Sequence, residues 1–117
     1  MIKKLAIGCL FAATVAKGLA AQSIQGVWGQ SQEICNMADP GDNAPIIVTE
    51  NSIRYYEASC TLENPTSLRD MPEGKLYDQE CWAEGEYFDA GRAFIATNGL
   101  EGLIIYESGY AMTYVRC

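Results

Sequence analysis

From Lys75 to Ala83 the chain alternates, with Leu76, Asp78, Glu80 and Trp82 on one face and Tyr77, Gln79, Cys81 and Ala83 on the other. Gly85 bends or ends that strand. The same period of two runs through Tyr110 to Cys117, where Tyr110, Met112, Tyr114 and Arg116 share a face. Two β-rich runs, Ile46–Thr49 and Ile53–Ala58, flank Glu50-Asn51-Ser52 and predict a hairpin with a short connection. Arg92–Thr97 and Leu100–Tyr106 flank Asn98-Gly99, a strong two-residue hairpin signal. Ile24–Gly29 predicts an opening strand, and Asp39-Pro40-Gly41-Asp42-Asn43 a turn-rich loop. Thr61–Gly74, with Pro65, Pro72 and little periodicity, reads as the longest loop. No stretch carries a sustained apolar stripe of helical period. About seven short strands predict an all-β fold, a small up-and-down antiparallel barrel or sandwich.

The first residues follow a different pattern. Lys3 and Lys4 precede the uncharged run Leu5–Ala16, and small residues surround Ala20 and Ala21. This is the layout of a secretory signal peptide, so residues 1–20 are expected to be cleaved and 21–117 to form a single β domain. Lys17 interrupts the run before it could span a membrane. A lipid anchor on Cys9 is not expected, because only Leu5–Gly8 would precede the cut. The expected location is periplasmic or secreted.

Removing the leader sharpens the charge. All fifteen carboxylates lie beyond residue 20, against only five cations, Arg54, Arg69, Lys75, Arg92 and Arg116, so the domain carries −10. Such a surface disfavours nucleic acid and anionic membranes and steers cations inward. No histidine is present, which removes the commonest metal ligand and the usual neutral-pH base. No metal or cofactor is expected.

Four cysteines remain, Cys35, Cys60, Cys81 and Cys117, spaced too widely for paired zinc ligands. In an exported domain of this size they predict two disulfides. Cys35–Cys60 with Cys81–Cys117 is the leading pairing, since up-and-down order brings Cys35, Cys60 and Cys117 to one rim. Cys60–Cys81 with Cys35–Cys117 follows instead if the fourth strand begins at Cys81.

Gly26-Val27-Trp28 on the first strand, with Arg116 ending the last, resembles the calycin pattern of lipocalin-type barrels. The resemblance implies that Trp28 plugs one end of a barrel and Arg116 lies over its ring. The chain also resembles small exported bacterial proteins with a G-x-W start, four cysteines and a Y-x-R-C end, here Tyr114-Val115-Arg116-Cys117. That group implies no particular activity.

Two kinds of function fit these residues. Asp78, Glu80, Glu84, Glu86 and Asp89 place five carboxylates and no cation in twelve residues, interleaved with Tyr77, Trp82 and Tyr87. This stretch reads as a contact surface for a cationic protein, such as a lysozyme, with the aromatic rings as anchors. The domain is then a non-catalytic binding module. The alternative is a small hydrolase, with Glu84 and Glu86 projecting from one strand face as an acid/base pair. A structural envelope protein is a third reading.

Overall fold

A computed structural model describes residues 23–117; the expected leader, its cleavage site and Cys9 lie outside the described residues. Eight antiparallel strands follow one another around a closed barrel. They are β1 (Gly26–Gly29), β2 (Ile46–Val48), β3 (Ser52–Tyr55), β4 (Ala58–Leu68), β5 (Met71–Ala83), β6 (Glu86–Thr97), β7 (Gly102–Glu107) and β8 (Tyr110–Arg116). Closure comes from β8 returning to β1, where Trp28 faces Arg116 and Gly29 faces Val115. Between β1 and β2 lies a short helix, α1 (Gln32–Asn36), capped by the Ser31 hydroxyl accepting from the Ile34 amide at 3.2 Å. The barrel expectation holds.

The inner face follows the period of two. Ile46, Val48, Ile53, Leu62, Tyr77, Ala93, Ile95, Leu103, Ile105 and Tyr114 bury together around Trp28, which is fully covered. The Arg116 guanidinium sits 4.2 Å from the Trp28 ring centre. Its two terminal nitrogens donate to the carbonyls of Gln25 and Ser23 at 3.0 and 3.1 Å, and Trp28 Nε1 donates to Ile24 at 2.9 Å. The segment before β1 is thereby strapped to the barrel end.

The count of about seven strands becomes eight because Thr61–Gly74 is not a loop. It forms most of β4, the Arg69-Asp70 turn and the start of β5. Two features of the sequence disguise this strand. Asn64, with φ 54°, and Pro65 sit in a register slip between Glu63 and Thr66, so neither interrupts the ladder to β5. On its other side β4 pairs with β3 only as far as Thr61, so the missing Pro65 amide costs no strand pairing there.

That hairpin also corrects the leading disulfide pairing. With β4 and β5 adjacent, Cys60 stands directly opposite Cys81, their Cα atoms 4.0 Å apart, and the two are bonded. The second bridge joins Cys35 within α1 to Cys117 after β8, because β8 ends alongside β1. Cys35–Cys60 and Cys81–Cys117 do not form.

Asn98-Gly99 likewise does not make a two-residue turn. Leu100 and Glu101 stay in the connection, Asn98 donates its amide to Gly102 at 2.8 Å, and β7 starts at Gly102. The longer loop sets the register that turns Leu103 and Ile105 inward opposite Thr97 and Ile95.

Candidate functional site

The outer face of β4, β5 and β6 collects the predicted acidic residues. On β5 the side chains opposite the buried Tyr77, Gln79 and Cys81 are those of Asp78, Glu80 and Trp82. Across the ladders, Asp78 faces Glu63 and Arg92, Glu80 faces Thr61 and Asp89, and Trp82 faces Ser59 and Tyr87. Both neighbours of β5 are irregular at this level. The slip around Asn64-Pro65 in β4 is matched in β6, where Ala90 drops out of register between Asp89 and Gly91. Paired bulges bend a sheet and re-aim side chains. Here they accompany a cavity of about 350 Å³ lined by the outer-face residues Glu63, Asn64, Asp78, Glu80, Tyr87, Asp89 and Arg92 and also by Gln79 and Gly91.

The carboxylates are not equivalent. Asp78 accepts from Asn64 Nδ2 at 2.8 Å and pairs with Arg92 Nε at 3.4 Å. With both partners about half exposed, that ion pair adds less than about 1 kcal/mol and mainly fixes Arg92. Asp89 accepts from the Gly91 amide at 2.9 Å, which closes the bulge. Among the described residues Glu63, Glu80 and Asp89 have no cation within ion-pair distance. Their field reaches Tyr87. Contact with the sheet first, and then the charges of Glu80, Asp89 and Glu63, push its phenol above the ordinary range.

An aromatic pair borders the cavity. Trp82 and Tyr87 meet edge to face with ring centres 5.5 Å apart, and they remain 40% and 54% exposed. Beyond Trp82 a second depression, lined by Arg54, Ser59, Glu84 and Gly85 among others, continues toward the β5–β6 turn.

Asp78, Glu80, Trp82, Tyr87 and Asp89 therefore stand together on this outer face. Three residues do not. Tyr77 is buried on the inner face and cannot anchor a partner. Glu84 lies in the Glu84-Gly85 turn, where both residues have positive φ, 53° and 81°. Glu86 is the first residue of β6 opposite Ala83. The expected placement of Glu84 and Glu86 on one strand face is thus wrong, because a reversal of the chain separates them. Both are exposed, whereas the acid of a hydrolytic pair draws its properties from burial.

Glu63, Asn64 and Arg92 were not legible as site residues. Glu63 and Asn64 lay inside the stretch read as a loop, and Arg92 looked like the beginning of a strand rather than its middle. Among the described residues no group of three or more Cys, Asp or Glu side chains is arranged to hold a metal ion.

Fold and surface together define a small, disulfide-bridged, eight-stranded antiparallel barrel with an acidic outer face. No protein family, curated protein or solved structure matches the chain.

Proposed function

We propose that this chain is an exported, non-catalytic binding module that captures a cationic protein on the outer face of β4–β6. One observation carries the reading: Glu63, Glu80 and Asp89, without cation partners among the described residues, surround a cavity bordered by the exposed Trp82–Tyr87 pair. The carboxylates supply steering and specificity, and the rings supply area that leaves water on contact. Two disulfides and the leader pattern support an oxidising location. Trp28 under Arg116 supports a distant calycin-type origin. Nothing in the placement of Glu84 and Glu86 favours the hydrolase reading.

The test is capture from periplasmic and external extracts by the domain 21–117, compared with Glu80→Gln/Asp89→Asn. The double variant is expected to melt within a degree or so of the wild type and to capture its cationic partner roughly tenfold less well. Equal capture by both proteins means that the patch is a solvated face and the assignment fails.

A further inference from the structure

The inner face holds a second set of polar groups that the outer patch does not use. Glu107, the last residue of β7, points inward after Leu103 and Ile105. It accepts from Gln79 Nε2 at 2.8 Å and, more weakly, from the Tyr55 hydroxyl at 3.5 Å. Among the described residues no Lys or Arg lies within 4 Å of it. Gln79 is only 2% exposed, and its carbonyl oxygen Oε1 has no hydrogen-bond partner among the described residues. The bond from Nε2 to the carboxylate fixes the orientation of that amide, since a flip would set carbonyl against carboxylate. An orphaned acceptor of this kind costs about 1–3 kcal/mol unless something donates to it.

The Glu107 end of this group is partly exposed, with Gln79 buried beneath it. The two inward residues above Tyr114 on β8 are Met112 and Tyr110, yet they are 40% and 74% exposed. The reason lies in strand length. β1 ends at Gly29, so β8 is bridged to it only at Val115 and Arg116, and Tyr110–Thr113 pair with β7 alone. The wall is incomplete beside them. Burial, and then the Glu107 charge, hold the Tyr55 and Tyr114 phenols above their ordinary range, so both rings are neutral at physiological pH.

We infer that this mouth binds an organic cation, a primary ammonium or a guanidinium, between the Glu107 carboxylate and the Gln79 carbonyl. Ammonium and guanidinium groups carry donors only, which matches two acceptors and no competing cation. Neutral tyrosine rings and a methionine thioether suit the alkyl stem and the charge. The cation is either a free amine or the side chain of a lysine or arginine presented by a partner. The site faces the opposite side of the sheet from the acidic patch and stands whether or not that patch binds anything.

The test uses the disulfide-intact domain, with the Met112 methyl and Gln79 side-chain amide resonances as reporters. n-Butylammonium and a lysine homopolymer are the probes, and 1-butanol is the neutral control. Saturable shifts with butylammonium but not butanol support the site for free amines. Shifts with the polymer alone support it for a partner's side chain. Glu107→Gln should weaken either response roughly tenfold or more. Gln79→Met, of similar size but without the acceptor, should also weaken it and serves if Glu107→Gln does not fold. The inference is overturned if neither cation shifts the reporters, if butanol does so equally, or if a folded variant responds like wild type. Shifts confined to Trp82 and Tyr87 overturn it too, and would favour the outer patch.

Discussion

A Cβ added to Gly26 would lie 2.7 Å from Nη1 of Arg116, and the backbone there has φ 145°, a value side chains rarely adopt. The glycine of the G-x-W motif therefore leaves room for the guanidinium over Trp28, a link between two residues ninety positions apart. Arg116→Ala removes the ring contact and both carbonyl hydrogen bonds, and should cost about 1–3 kcal/mol in denaturant midpoint stability. Arg116→Lys keeps the charge but not the fork, and should fall between the two. This contact was expected only through the calycin resemblance, carried by Gly26, Trp28 and Arg116. The Glu107 site was not, because inward-facing polar residues look like any strand alternation until the barrel closes. Its tyrosines carry a pH signature. An unfolded phenol ionises near pH 10, and the folded Tyr55 value is raised above this by burial and by Glu107. The sign follows: the contribution is fully present below about pH 10 and is lost as pH rises toward the folded value. Thermal melts should show stability falling on the alkaline side of pH 10, less steeply in Tyr55→Phe.

At the scale of elements, hydrophobic alternation located β8 and the Lys75–Ala83 part of β5, and β-branched runs located β2 and β3. It failed at β4, where Asn64 and Pro65 carry loop chemistry inside a bulge that the ladder to β5 absorbs. The disulfide pairing failed with it, since a lost strand reverses the direction of everything after it. The pairing has a direct check. Peptide mapping without reductant should recover Cys35 with Cys117 and Cys60 with Cys81. The two bridges also differ in exposure: Cys60 and Cys81 are buried in the barrel, whereas Cys117 is exposed and Cys35 half-buried. Thiol exchange needs access to a sulfur, so mild reductant should open Cys35–Cys117 first and leave Cys60–Cys81 until the barrel opens. The first bridge closes a span of 82 residues, and its loss should lower stability by about 4–5 kcal/mol on the chain-entropy model.

At the scale of the whole molecule, residues 21–117 set five cations against fifteen carboxylates, a net −10 that attracts cations from every direction, so affinity for a cationic partner does not by itself identify a binding face. Local and global charge can be separated. Glu80→Gln/Asp89→Asn and Asp39→Asn/Asp42→Asn each remove two negative charges, the first pair from the cavity rim and the second from the connection between β1 and β2. If steering came from net charge alone, both double variants would slow association equally. A strand-borne patch beside exposed rings predicts a difference. The cavity pair should lower the association rate and flatten its dependence on salt, and should also speed dissociation, because its carboxylates lie within the contact. The loop pair, which does not line the cavity, should cause only a small, salt-screened fall in association rate. Stopped-flow association and surface dissociation kinetics, measured across a salt series, read out both quantities. Identical behaviour of the two variants would make the acidic surface a general solubility feature and remove the cavity from the binding account.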